Sequence, residues 1–338
     1  MNSIRVGIVG CGKMGKRHAD AIKFIKQIQL VGCTDIDEKK STRLAQSHNI
    51  KSYDSLESLL NDDKINAVII CTPNIYHKTH VISSLKAEKH VLVEKPLAIN
   101  ISECEEIISH AKKLPHLKVM VGQTHRFYPH NLKVKELINR GMIGLIKYIS
   151  EYSLDPGFIA GKGKTPKWIF KKSMVGNALM DTVHAIDKVR WLTDSEFKSV
   201  YTSMIGSLTS ETKAESMGSI TFTLKNNAIF QLFFLSPSWG IRDQSTRIVG
   251  TRGVIHSTYG ESVTLGKKNW KEFDFYGKHS PPSFEHNLKG FQNELSAFAN
   301  SIKKDEKPPV TIYDGKKSVE VVMAIIQSYQ SRKIISLR

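Results

Sequence analysis

Between Gly10 and Gly15 the chain reads Gly-Cys-Gly-Lys-Met-Gly, and what flanks that turn restricts the fold sharply. A short β-branched run, Ile4 to Val9, leads into it, and a helical pattern through Ala19, Ala21, Ile22 and Ile25 follows. Leu30 to Thr34 then reads as a second strand ending at Asp35. Strand, glycine-rich turn, helix, strand and acid in this order form a βαβ unit with a dinucleotide fingerprint. Gly10 permits the tight turn, Gly12 lets the backbone approach a pyrophosphate, and Gly15 lets helix and strand pack closely. The helix N-terminus offers free N–H groups and the positive end of its dipole to the phosphates. Asp35 lies 20 residues beyond Gly15, where a carboxylate can accept hydrogen bonds from the adenosine ribose. The same charge would repel a 2′-phosphate, so NAD is expected rather than NADP. Asp37 is further from the strand end and is the lesser candidate.

The alternation continues. Ser55 to Leu60 reads as helix, and Ala67 to Cys71 as a buried parallel strand ended by Thr72-Pro73-Asn74. A helix through His80 and Leu85 leads to a strand at His90–Val93, then Glu94-Lys95-Pro96. A helix over Ser102–Lys112 precedes a strand at Lys118–Gly122. Strands alternating with helices imply a doubly wound parallel sheet, an α/β Rossmann domain, with ligands outside the carboxyl ends of the strands. After Gly122 the pattern changes. A helix ends near Arg140-Gly141, and from Tyr148 the chain becomes strand-rich, with Ser219–Thr223, Ile229–Leu235, Thr246–Val249 and Val254–Ser257 alternating. One helix over Asn177–Leu192 lies between these strands, and another over Lys316–Tyr329 comes last. The expected organisation is a Rossmann domain over 1–122, then over 123–338 an α+β domain with a large, mostly antiparallel open sheet.

Composition narrows the function class. No apolar run is long enough to span a bilayer, and Met1 to Gly10 lacks a signal-peptide layout, so a cytoplasmic protein is expected. Cys11, Cys33, Cys71 and Cys104 form no CxxC pair, so buried reduced thiols are expected and no zinc site. The formal charge of +17 invites a nucleic-acid reading. The cations are scattered, however, and no nucleic-acid-binding motif stands out. The densest basic stretch, Gly157 to Lys172, carries five Lys and no acid, and fits an anionic ligand or a solvated loop.

Two sets of residues suit acid–base chemistry. Lys95 follows a buried strand and precedes a proline that restricts it, so it can point into the cleft at a strand's carboxyl end. Beside a cationic nicotinamide its proton affinity would fall toward neutrality. Asp181, His184 and Asp187 recur every three residues on the expected helix, off its aliphatic face of Leu179, Val183 and Ile186. Asp181 could orient His184 and leave one ring nitrogen for proton transfer. A surface pair is the plainer alternative, and too few ligands accompany it for a metal.

Together these residues resemble the Gfo/Idh/MocA oxidoreductase family, the glucose–fructose oxidoreductase and inositol dehydrogenase group. The resemblance rests on Gly10-x-Gly-x-x-Gly15, Asp35, Thr72-Pro-Asn-x-x-His77, Glu94-Lys-Pro96, Arg126-Phe-x-Pro129 and Gly176 through Asp181 and His184 to Asp187. Phe291 to Phe298, Pro309 and Asp314 extend it to the last helix. It implies catalytic roles for Lys95, His184 and Asp181. It implies a cofactor site of Gly10, Cys11, Gly12, Lys13, Met14, Gly15, Asp35, Thr72, Pro73, Asn74, His77, Glu94, Lys95 and Gln123. His125, Arg126 and Trp168 join Asp181 and His184 as substrate contacts. A homodimer or homotetramer is implied, with the open sheet's face making the dimer contact. The chain departs from the family in three places. Val175-Gly176-Asn177 stands where many members have three glycines, three steps rather than four separate Asp181 from His184, and His125 replaces a common Asn. These alter the pocket, so substrate identity does not carry over.

The leading expectation is hydride transfer between NAD and a secondary hydroxyl or carbonyl of a sugar, polyol or sugar derivative. The alternative within that chemistry is a nucleotide-linked or phosphorylated sugar, favoured by the basic stretch. The alternative from another class is a non-catalytic NAD(H) sensor, which intact Lys95, Asp181 and His184 argue against.

Overall fold

The computed structural model describes residues 3–154, 182–205, 217–235, 243–260, 262–274 and 284–337. They divide into two compact units, Met1–Phe127 with Leu288–Val319, and Tyr128–Asn287 with Glu320–Arg338.

The first unit holds a six-stranded sheet in the order β3-β2-β1-β4-β5-β6, all parallel. The strands are β1 (Ile4–Val9), β2 (Ile28–Thr34), β3 (Lys51–Ser52), β4 (Ala67–Ile70), β5 (His90–Glu94) and β6 (Val119–Gly122). Helices α1 (Lys13–Ile22), α2 (Glu38–His48), α3 (Leu56–Leu60), α4 (His77–Lys86) and α5 (Ile101–Lys112) connect them. Every residue of β4 and β6 is buried, as a parallel strand covered on both faces requires. The expected α/β domain is therefore present. The sequence reading passed over α2, whose charged run Glu38-Lys-Lys buries only Ser41, Leu44 and Ala45.

The second unit is built on a nine-stranded sheet in the order β14-β13-β12-β11-β7-β10-β9-β8-β15. Its strands are β7 (Ile146–Leu154), β8 (Phe197–Ile205), β9 (Met217–Leu224), β10 (Ile229–Leu235), β11 (Asp243–Gly250), β12 (Gly253–Thr258), β13 (Ser262–Gly266), β14 (Trp270–Asp274) and β15 (Ile335–Ser336). Only the β7–β10 pair is parallel. Side chains alternate: Phe230 and Leu232 are buried while Ile229 and Gln231 are exposed. Phe222 stacks on Phe230 with centroids 5.3 Å apart, and Phe197 meets Phe222 at 4.7 Å. Helices α6 (Pro129–Asn139) and α7 (Val183–Thr193) belong to this unit.

The first break between the units, at 127/128, lies close to the expected 122/123, and a later segment of the chain rejoins the first unit. Helices α8 (Phe284–Lys303) and α9 (Ile312–Ser331) follow the sheet in sequence, yet residues 288–319 belong to the first unit. The Phe291 ring meets His18 edge-on at 4.9 Å, Gln27 donates to Asn300 at 3.1 Å, and Val121 N–H donates to the Val310 carbonyl at 3.2 Å. These contacts close over hundreds of residues, which local patterning does not show. No helix among the described residues is long and apolar enough to cross a membrane.

Candidate functional site

The glycine-rich turn joins β1 to α1. Gly10 has φ +97°, and a Cβ there would lie 2.8 Å from the Cys71 backbone, so the left-handed turn and the close approach both demand glycine. A Cβ on Gly15 would overlap the Gly10 carbonyl oxygen, which fixes helix against strand. Gly12 differs, because nothing lies within 4 Å of where its Cβ would stand. The protein's own packing does not require glycine there, and the open space in front of α1 fits a bound pyrophosphate. No side chain caps this helix end and its first turn holds no acid, so its N–H groups and dipole face that space.

Asp35 opens the loop after β2. Its Oδ2 accepts from Cys11 N–H at 2.7 Å and its Oδ1 from Asp37 N–H at 2.9 Å, so two backbone donors fix the carboxylate beside the turn. Asp37, the lesser ribose candidate, instead pairs with Lys40 at 3.2 Å. The Cys11 thiol is buried and directed at the Thr34 carbonyl, and its neighbour Cys33 and burial push its proton affinity far up. It stays protonated and contributes its amide rather than its sulfur. Lys13 is exposed and Met14 half-buried in the first turn of α1.

The ends of β4 and β5 come next in the sheet. Thr72, Pro73 and Asn74 are half-buried at the first, and Lys95 is half-buried at the second. The Lys95–Pro96 peptide bond is cis. His77, expected to touch the cofactor, is fully buried. Its Nδ1 lies 2.7 Å from the Pro96 carbonyl oxygen and its Nε2 2.9 Å from the Thr72 carbonyl oxygen. Both ring nitrogens are occupied by backbone, so the ring supports the two loops. His80, which the sequence placed on a helix without a role at the site, reaches Thr72 Oγ1 at 3.1 Å and stacks with exposed Tyr76 at 5.8 Å. Burial and the neighbouring His77 pull its pKa down to about 4, so it is neutral near pH 7.

Glu94 and Gln123 turn inward. Glu94 Oε1 is 2.8 Å from His18 Nε2, and both residues are buried, so the carboxylate is tied to α1. Gln123 is fully buried. Thr124 donates to Glu294 at 3.2 Å, and burial together with Glu94 raises the Glu294 carboxyl well above the usual range. A protonated Glu294 thus sits close to a second carboxyl, that of Glu94. Arg126, expected at the substrate, is buried and donates to the Pro309 carbonyl at 3.1 Å and to Asp314 at 3.2 Å. It anchors the start of α9, whose first turn Asp314 caps through Thr311. His125 beside it is half-buried.

In the second unit, His184 is half-buried in the first turn of α7. Four residues on, Lys188 is buried and paired with Glu151 of β7 at 2.8 Å and with Thr246 of β11 at 2.9 Å. Asp181, Trp168 and the basic stretch 157–172 lie outside the described residues. On the sheet, a polar hollow of about 280 Å³ is lined by Tyr152, Gln231, Phe233, Arg247 and His256, with Tyr152 stacked on Phe233 at 5.0 Å. Among the described residues no cluster of His, Cys, Asp or Glu could hold a metal.

Residues 4–123 match the oxidoreductase family of NAD-binding Rossmann fold, and residues 131–256 match the Gfo/Idh/MocA C-terminal domain. The chain is 25% identical over 345 residues to the myo-inositol 2-dehydrogenase of Thermotoga maritima, covering 99% of this chain and 98% of that one. It is 29% identical over 194 residues to the glucose-6-phosphate 3-dehydrogenase of Bacillus subtilis, covering 57% and 55% of the two chains. The scyllo-inositol dehydrogenase of Lactobacillus casei, solved with bound NAD(H) and scyllo-inositol, superposes with a TM-score of 0.85 over 99% of both chains. At 24% identity that likeness speaks for the fold alone.

Proposed function

Since the chain belongs to the Gfo/Idh/MocA oxidoreductase family and carries its NAD-binding Rossmann domain, we propose that it interconverts a secondary hydroxyl and a carbonyl on a sugar or polyol. The observation that carries this reading is the placement of Lys95. It stands half-buried at the carboxyl end of β5, one strand from the Thr72–Asn74 loop and two from the glycine turn. Nicotinamide, when bound, supplies the hydride acceptor. The chain's own residues then handle position and protons. The α1 N-terminus holds the pyrophosphate, Asp35 the adenosine ribose, and Thr72 to Asn74 the nicotinamide ribose. Lys95 Nζ takes the proton from the reacting hydroxyl during oxidation and returns it during reduction. His184 carries the proton onward, with Asp181 supporting ring and substrate.

A phosphorylated sugar is the second reading. The likeness to a glucose-6-phosphate 3-dehydrogenase favours it, as does the Lys-rich stretch 157–172. All four cysteines are free, which suits a reducing, cytoplasmic setting. The open sheet face, with exposed Tyr152, Tyr201, Ile205 and Ile229, serves as the contact between copies in a dimer or tetramer.

The test is a panel of inositols, hexoses and sugar phosphates offered with NAD⁺ and, separately, NADP⁺, with reduced cofactor followed by fluorescence. Turnover of a polyol or free sugar with NAD⁺ is the expected result. Turnover confined to phosphorylated sugars selects the second reading. Equal use of NADP⁺ rejects the role given to Asp35, and inertness toward the whole panel rejects the substrate class.

A further inference from the structure

One buried side chain joins the loop leaving β4 to the loop leaving β5. His77 is wholly buried, with Nδ1 2.7 Å from the Pro96 carbonyl oxygen and Nε2 2.9 Å from the Thr72 carbonyl oxygen. A carbonyl only accepts, and a neutral imidazole carries a single N–H. A neutral ring here would set a nitrogen lone pair against a carbonyl lone pair at hydrogen-bond distance. An imidazolium donates on both sides. The groups facing the ring are Glu94 and Lys95 at the end of β5 and His80 on α4. Burial, the largest influence, and Lys95 outweigh the two carbonyls and Glu94 and hold the ring's proton affinity below the ordinary imidazole value, so the doubly protonated ring belongs to the acid side of neutrality. His80 is held neutral and does not compete for the proton.

We propose that His77 is a positioning residue: in the arrangement seen here its ring is an imidazolium whose two N–H groups hold the Thr72 and Pro96 carbonyls, and loss of one proton frees one loop. This rests on the reading that Thr72 to Asn74 and Lys95 flank the nicotinamide. Thr72 opens one loop and Pro96 follows Lys95 in the other. A ring that fixes both carbonyls therefore fixes the spacing between the cofactor contact and the reactive amine. With one proton the clamp holds one loop only, so acid favours the docked arrangement and alkali loosens it.

The experiment uses cofactor-free, full-length protein with ¹⁵N-labelled histidine. The His77 ring signals are assigned against His77→Gln and followed from about pH 5 to about pH 9, a range spanning ordinary histidine titration. NADH binding is measured by fluorescence over the same range. The expected result is two proton-bearing ring nitrogens at the acid end. One proton should be lost as pH rises, with NADH affinity weakening in the same interval by roughly three- to tenfold, the worth of one hydrogen bond. His77→Gln, able to reach one carbonyl, should bind NADH weakly throughout and show no step. A ring with one bare nitrogen across the whole range overturns the proposal. So does a His77→Gln protein with the parent's NADH affinity and pH profile. Lys95→Ala separates the two claims. Normal turnover in that variant removes the reading of Lys95, while the ring's protonation and the NADH step still decide the clamp.

Discussion

At the scale of single residues, the first unit keeps several ionisable groups out of water around the strand ends. Glu294 is fully buried, and burial together with Glu94 holds its carboxyl proton well above the ordinary value of 4.5. The folded state therefore keeps a proton that the unfolded chain releases once the pH exceeds about 4.5. A raised folded value means that the stabilisation is complete in acid and falls as pH climbs toward that value. Glu294→Gln has no proton to lose. Its melting temperature relative to the parent should rise steadily between about pH 5 and about pH 8, and parallel pH curves would reject a protonated Glu294. The residue scale is also where the sequence says least. Motif spacing brings His77, Glu94, Gln123 and Arg126 near the strand ends, where ligands bind. It does not reveal that Pro96, His18 and Asp314 engage His77, Glu94 and Arg126 or that Gln123 is fully buried, because those side chains turn inward.

At the scale of elements, periodicity located most of the framework. The β10 reading of Ile229–Leu235 agrees residue for residue, and α5 begins one residue before the expected start. Each has a clear pattern, β10 a β-prone run apolar at every position but Gln231 and α5 apolar every three or four residues. Helix α2 buries little apolar surface and helix α8 packs onto a distant part of the chain, so neither signals itself locally. Helix α7 was legible through Val183 and Ile186 but not through its buried cations. Lys188, one turn beyond His184, pairs with Glu151 and bonds Thr246, fastening the helix to two strands. Lys188→Ala should destabilise the fold by about 3–5 kcal/mol, because it leaves the buried Glu151 without its ion-pair partner. Replacing both residues, Lys188→Met with Glu151→Leu, should recover most of that loss in a denaturant titration. If the double variant is as unstable as the single one, the pair does more than satisfy its own charges.

At the scale of the whole molecule, two units share one interleaved chain, and each contributes residues proposed for the reaction. Lys95 lies in the first and His184 in the second. Family membership and the NAD-binding domain are settled by matches covering both units. The return of segment 288–319 to the first unit was not legible in the sequence, because it lies far down the chain from the residues it joins. The central claim is that this framework presents Lys95 as the proton carrier of an NAD-dependent oxidation, rather than binding NAD(H) without chemistry. The most direct measurement compares Lys95→Ala with the parent protein, on the best substrate of the panel, in NADH formation and in NADH binding. Turnover should fall by roughly 10²–10⁴-fold, as expected for loss of a general acid–base group, with NADH affinity nearly unchanged. Turnover within a few-fold of the parent would contradict the claim.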